Sequence, residues 1–211
     1  MAVNRDGARN VALAAGPATM VYVSTDYVFD GECRRPYLPD DETGPLSAYA
    51  RSKVAGEEAV RAAGGAWIIS RVSRLYAGGS GFVPAILRRA ARGEPMRIVN
   101  DQTGRPTWVP DAARALVELV ERDVRGIWHV TGGGECTYYE LAQAAARLAG
   151  YDAQIEPVSS DEFNAPARRP AYSVLDIEAT ETLLGRPMPD WRKCLEQYVQ
   201  REWRSLRERT A

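Results

Sequence analysis

Two short apolar runs limit what this chain can fold into. Residues 19–24 read Thr-Met-Val-Tyr-Val-Ser, and Trp67–Val72 reads Trp-Ile-Ile-Ser-Arg-Val. Unbroken, β-branched and only about six residues long, they suit strands buried on both faces rather than amphipathic surface elements. Between them lies an alanine-rich stretch, residues 46–63, which is closed by Gly64-Gly65 and reads as a helix. The alternation continues, with helices expected at residues 4–15, 82–92, 111–121 and Tyr138–Leu148. Strands are expected at Met96–Val99, 126–130 and 154–158, and shorter helical pieces at 176–184 and 191–206. Strands alternating with helices predict an α/β fold, a Rossmann-like and mostly parallel sheet with helices on both faces. From about Asp101 the elements shorten, and residues 166–170 are irregular, which predicts a small C-terminal α/β lobe. Residues 25–44 carry too much Pro, Gly and Asp for regular structure, and so long a loop is a place to look for function.

Composition excludes several function classes. Hydrophobic residues are 45% and charged residues 26%, the balance of an ordinary soluble globular protein. A formal charge of −1 argues against a general binder of nucleic acid or of membrane surfaces. No apolar run approaches the ~18–20 residues of a membrane span, and the opening Met1-Ala-Val-Asn-Arg-Asp-Gly has no signal-peptide core. Cys33, Cys136 and Cys194 are odd in number and far apart, so no pair has metal-ligand spacing and a reducing cytoplasm is expected. The basic residues are nearly all arginine, yet position 53 is lysine, and Lys193 is the only other one.

Tyr49 and Lys53 stand four apart at the start of the 46–63 helix, hence on one face. A free tyrosine has a pKa of about 10, and a nearby ammonium favours the phenolate and lowers it. Such a tyrosine can protonate a carbonyl oxygen while hydride reaches the carbon. Ser24, Thr25 and Asp26 end a predicted strand, where ligands bind in parallel sheets.

The longer string is more specific. It reads Val23-Ser-Thr-Asp-Tyr-Val-Phe-Asp-Gly31, then Pro36-Tyr37, Asp40-Asp41-Glu42, Pro45-Leu46, Tyr49-Ala-Arg-Ser-Lys53 and Gly56-Glu57. Further on come Arg71 with Tyr76, Gly81-Phe82-Val83, Asp101-Gln-Thr-Gly-Arg-Pro-Thr107, Arg169-Pro170 and Ser173-Val-Leu-Asp176. In this order the residues resemble the dTDP-4-dehydrorhamnose reductase family of extended short-chain dehydrogenases/reductases, from about Val3 to Tyr198.

The resemblance implies that NADPH or NADH reduces the 4-keto group of a dTDP-6-deoxy-4-keto-hexose. It implies Thr25, Tyr49 and Lys53 as catalytic residues, with Tyr49 the general acid. Ser24, Tyr49 and Lys53 would meet the cofactor, and Thr25, Asp26, Tyr27, Arg74 and Arg105 the sugar nucleotide. Residues 1–100 would form a partial dinucleotide-binding domain, and residues 101–211 a substrate-binding lobe, set apart from the first or interleaved with it. The family usually has Trp where this chain has Arg74, so a stacking wall is replaced by a planar, charged donor, either solvated with no role or in contact with a different hexose. By the same resemblance Met1 lies inside a helix. A cofactor-binding segment on the order of 60–80 residues is then expected ahead of it, at about 30 residues per βαβ unit. That segment or a second copy in a homodimer would be the partner.

Other residues have plainer readings. His129 is expected to pack, Trp108 to pack or to flank the sugar nucleotide, and Arg168 with Arg169 to lie at the surface or to meet a diphosphate. No metal site is expected. Two rival functions stay open: a non-catalytic regulatory subunit on the same scaffold, and a sugar-nucleotide epimerase or dehydratase with a similar Tyr/Lys pair.

Overall fold

The computed structural model describes residues 1–208. Wide, π-type turns at Ala2–Gly7 run into helix α1 (Ala8–Ala14), two residues earlier than sequence suggests. Strand β1 (Met20–Thr25) follows, then a single 3-10 turn at Asp26–Val28 inside the predicted loop. Helix α2 (Ala48–Ala63) starts where the Ser47 side chain accepts a hydrogen bond from the Ala50 amide. Its C-cap Gly64 adopts φ 73°, which stops the helix. Strand β2 (Trp67–Val72) lies parallel to β1, with Met20 opposite Trp67 and Thr25 opposite Val72.

The next elements are β3 (Leu75–Tyr76), α3 (Phe82–Ala91), β4 (Met96–Val99), β5 (Thr103–Gly104) and β6 (Thr107–Trp108). Helix α4 (Val109–Glu121) starts two residues before the predicted Asp111, because Pro110 is tolerated in a first turn that needs no amide donor there. Strand β7 (Gly126–His129) then returns to pair in parallel with β2, completing a sheet of order β1-β2-β7. Residues from both halves of the chain therefore build one sheet. Beyond it come β8 (Cys136–Thr137), α5 (Tyr138–Leu148), β9 (Ile155–Val158), α6 (Ser160–Phe163), α7 (Glu178–Leu184) and α8 (Trp191–Tyr198). A wide turn at Val199–Trp203 and α9 (Arg204–Glu208) end the described chain.

Side-chain alternation along β2 explains the layers. Ile69 packs with Tyr22, Val60 and Ala8, under α1 and α2. Its neighbour Ile68 packs on the opposite face with Ala112, Ala115, Leu119 and Leu184, under α4 and α7. A second body forms where β4 and β9 pair in parallel and α3 packs on α5, around Ile86, Met96, Ile98 and Ala142. Tyr76, Trp108, Trp191 and Tyr198 make a further core that fixes the C-terminal helices. Trp108 belongs to this core, and its indole donates to Glu202 at 2.7 Å, so it packs rather than flanks a ligand. His129 is buried as expected. Among the described strands β1 is a sheet edge, with Val23 42% exposed and Val3, Val11 and Leu13 exposed nearby in sequence. No helix among the described residues is long and apolar enough to cross a membrane.

Candidate active site

The site forms where β1 ends. Thr25 is buried at the last position of the strand, and Tyr49 projects from the first turn of α2, 52% exposed. Burial raises the Tyr49 pKa above its ordinary 10, the neighbouring Thr25 hydroxyl opposes that, and the Asp26 charge raises it further. Thr25 also donates to Asp26 Oδ1 at 3.1 Å and accepts from the Tyr27 amide at 3.3 Å. The Thr25 hydroxyl is thus held on the buried carboxylate next to it.

Lys53 is on the same face of α2 as Tyr49, but its ammonium reaches inward. Nζ donates to the Val23 carbonyl at 2.5 Å and lies 4.3 Å from the centre of the Tyr22 ring. Burial lowers the Lys53 pKa from its ordinary 10.5, and Glu57 opposes that. The expectation that lysine lowers the Tyr49 pKa therefore needs correction. The opposing influence here is Thr25, because the ammonium is engaged on the main chain of β1.

The other expected contacts divide. Ser24 Oγ donates to Glu57 Oε1 at 2.5 Å inside the protein, so its hydroxyl is committed away from a cofactor. Asp26 is buried and accepts from Ser73 Oγ at 2.8 Å and Ser173 Oγ at 2.6 Å, so it supports the site rather than lining it. Burial holds its carboxyl above the usual range against these donors. The Tyr27 hydroxyl shares a 2.8 Å hydrogen bond with that of Tyr138, and burial raises its pKa strongly.

Arg74 is half-buried and partly committed to the protein. Nη1 donates to the Cys136 carbonyl and Nη2 to the Gln102 carbonyl, both at 2.8 Å, while the guanidinium lies 3.9 Å from the Tyr138 ring centre. Its φ of 45° is unusual for a side chain of this size and is held by those contacts. Arg105 reaches the Gly134 carbonyl at 3.4 Å, a long contact that leaves most of its donors uncommitted.

A cavity of about 310 Å³ opens beside this cluster, lined by Phe82, Arg97, Ile98, Val99, Gln102, Tyr138, Phe163 and Arg169. Tyr138 joins it to the site, since its hydroxyl meets Tyr27 two residues after Thr25. A second cavity of about 490 Å³ shares Val99, Gln102, Phe163 and Arg169 and adds Arg168 and Asp101. Sequence reasoning named Arg168 and Arg169 but missed Tyr138, Arg97 and Phe163. One signal for the last was legible: Ser159-x-x-Glu162 is a capping box, and it starts the single turn that presents Phe163.

The parallel sheet, the tyrosine and lysine on α2 and the hydroxyl at the strand end define a protein of the short-chain dehydrogenase/reductase type. The chain belongs to the RmlD substrate binding domain family, whose model matches residues 1–203. It is 42% identical over 205 residues to a dTDP-4-dehydrorhamnose reductase of Mycobacterium tuberculosis, covering 92% of this chain and 67% of the relative. It is 40% identical over 184 residues to the spore coat polysaccharide biosynthesis protein SpsK of Bacillus subtilis, covering 87% and 64%. The chain thus spans about two thirds of the length of these relatives. Its structure superposes with a TM-score of 0.89 on a Bacillus anthracis dTDP-4-dehydrorhamnose reductase crystallised with NADP, at 36% identity, covering 93% of this chain and 71% of that one.

Proposed function

We propose that this site reduces the 4-keto group of a dTDP-linked 6-deoxy-4-keto-hexose with a nicotinamide cofactor, Tyr49 acting as proton donor. The observation that carries the reading is the half-exposed Tyr49 phenol in the first turn of α2, with the Thr25 hydroxyl at the carboxyl end of a parallel strand. The adjoining cavity supplies what a nucleotide needs: aromatic faces from Phe82, Tyr138 and Phe163, with Arg97 and Arg169 for phosphate oxygens. The relatives named above support the substrate class and NADPH or NADH as cofactor.

The residues present fit a nicotinamide ribose. The Lys53 ammonium has three donors, one of them committed to Val23, and the half-exposed Tyr49 is one turn earlier on the same face of α2. The cofactor, when bound, supplies hydride to the sugar carbonyl carbon. Tyr49 gives its hydroxyl proton to the carbonyl oxygen as that oxygen gains charge. Thr25 then turns its hydroxyl toward the phenolate, while Asp26 keeps Ser73 and Ser173 as donors. Lys53 holds positive charge close by through the same step.

The reading extends to domain organisation and location. The dinucleotide-binding part would hold β1, β2 and β7 with their covering helices, so the substrate lobe is interleaved with it rather than cut off at residue 100. Three free thiols at Cys33, Cys136 and Cys194 support a reducing, cytoplasmic setting.

The test is NADPH consumption by the full-length protein with a dTDP-4-keto-6-deoxyhexose. Tyr49→Phe removes the phenolic hydroxyl and with it the donated proton, and kcat should fall by about 10²–10⁴-fold with KM little changed. Undiminished turnover in Tyr49→Phe would remove Tyr49 as the acid.

A further inference from the structure

Below the Tyr49–Lys53 pair, one further turn along α2, is a buried ion pair that the proposed chemistry does not use. Glu57 and Arg71 have side chains only 6% and 3% exposed. Arg71 Nε donates to Glu57 Oε1 at 3.1 Å and Nη2 to Oε2 at 2.8 Å, a two-pronged contact. Ser24 adds its hydroxyl to Oε1 at 2.5 Å. Arg71 Nη1 goes on to the Pro39 carbonyl at 2.9 Å, and its guanidinium lies 5.0 Å from the centre of the Phe29 ring. One carboxylate on α2 is thus tied to the end of β1, to β2 and, through Arg71, to the loop that follows the catalytic strand.

Stability alone is a poor reason for such a pair. Removing two charges from water costs several kcal/mol each, and well-packed apolar residues often do as well or better. What the pair has that apolar residues lack is charge and direction. Tyr49, Lys53 and Glu57 are spaced i, i+4, i+8 and form one stripe on α2. Tyr22 and Ser24, on one face of β1, meet that stripe: the Tyr22 ring faces the Lys53 ammonium, and Ser24 holds Glu57.

We propose that Glu57 is a positioning residue, pinned by Arg71 and Ser24, whose carboxylate sets the depth of α2 on the strand ends and supplies the counter-charge to the Lys53 ammonium. This gives the proton-transfer reading of Tyr49 and Lys53 its structural support, and it rests on that reading for its meaning. Burial acts on Lys53 in the opposite sense to Glu57, which is why a counter-charge is needed at this depth. The charged and titratable groups around the ammonium are Tyr22 on β1, Tyr49 and Glu57 on α2 and, behind Glu57, Arg71 on β2.

The lysine count makes the test direct. Lys53 and Lys193 are the only lysines, so a protein labelled with 13C at lysine Cε gives two signals, assigned by Lys193→Arg. In the unsubstituted protein the Lys53 signal should titrate below the ordinary 10.5 of lysine. Glu57→Gln keeps an acceptor for Ser24 and Arg71 but removes the charge. It should lower the Lys53 midpoint by about one pH unit and leave Lys193 in place. Ser24→Ala keeps the charge and should move Lys53 by a small fraction of that. If Glu57→Gln does not fold, Glu57→Gln/Arg71→Met, which leaves no lone buried charge, gives the same readout. A folded variant with an unmoved Lys53 midpoint overturns the proposal. Full turnover in Tyr49→Phe, with the Lys53 midpoint still following Glu57, would overturn the proton-transfer reading and leave this placement standing.

Discussion

Tyr49 and Lys53 are displaced in opposite directions by the same cause. Burial holds the Tyr49 phenol above its ordinary value and the Lys53 ammonium below its own, since burial disfavours whichever form is charged. For a proton donor the first shift is useful, because the phenol stays protonated across the neutral range and beyond. The second sets the limit. As pH rises, Lys53 loses its proton before a free lysine would, and Tyr49 loses its own later than a free tyrosine would. The alkaline fall of kcat/KM in the reducing direction should therefore follow Lys53, with a midpoint below 10.5. Lys53→Arg keeps the positive charge to far higher pH. In that variant the fall should move upward, even if overall turnover drops because an arginine fork cannot copy the ammonium on Val23. An alkaline limb that stays in place in Lys53→Arg would show that another group sets it. The serine, aspartate and arginine that sequence placed at the ligand serve one step behind it. Ser24 holds Glu57, Asp26 gathers hydroxyls from three segments, and Arg74 gives one donor to each of two carbonyls.

At the scale of elements, the approach of α2 to β1 decides whether this geometry exists. Gly56 is at the contact point, and a methyl group there would run into the Tyr22 hydroxyl and the Asn4 carbonyl. The Tyr22 hydroxyl itself donates to the Asn4 carbonyl at 3.1 Å, so neither neighbour moves without breaking that bond. Gly56→Ala should cost about 1–3 kcal/mol by overpacking, although alanine is the better helix former. It should also weaken turnover, because α2 must lift with Lys53 on it. Urea denaturation of the two forms checks the first point, and a more stable alanine variant would mean that the helix accommodates the methyl. The same elements show what could be read in advance. Trp67–Val72, Met96–Val99 and Tyr138–Leu148 match their predicted bounds, because bounded apolar runs and helix caps carry their own signal. The two-residue strands β3, β5, β6 and β8 could not be read, since partners 32 or 34 residues away create them. The site followed the same rule. The Tyr49–Lys53 spacing is local, whereas Ser173 reaches Asp26 across 147 positions and Tyr138 reaches Tyr27 across 111. Only the folded chain brings such pairs together.

Across the whole molecule, the site depends on the C-terminal half closing over the long loop after β1. Tyr37 bridges to Leu175, and Gly31, at φ 87°, packs against Pro170 so closely that a side chain there would collide. His129, at the end of β7, is a junction in this closure. Its Nδ1 donates to the Asp176 carbonyl at 2.9 Å, and its own carbonyl accepts from Thr180 Oγ1 at 2.8 Å. The ring is edge-on to Phe29 and close enough to Arg71 to be disfavoured as a cation. Burial, first, and Arg71, second, lower its pKa from 6.5 to about 3. A folded-state pKa below the unfolded one means that the neutral ring contributes stability in full above 6.5. That contribution is lost as pH falls through the window toward 3. By pH 5 the loss should be about 2 kcal/mol, from one and a half pH units at 1.36 kcal/mol each. His129→Gln retains a donor for Asp176 but does not titrate. It should lower stability at pH 7, and its difference in unfolding free energy between pH 7 and pH 5 should be smaller than that of the unsubstituted protein by about the same 2 kcal/mol. The carboxylates titrate in both forms and cancel in that comparison. Equal pH 7 to pH 5 differences in the two proteins would mean that His129 can take up its proton without opening the closure over the site.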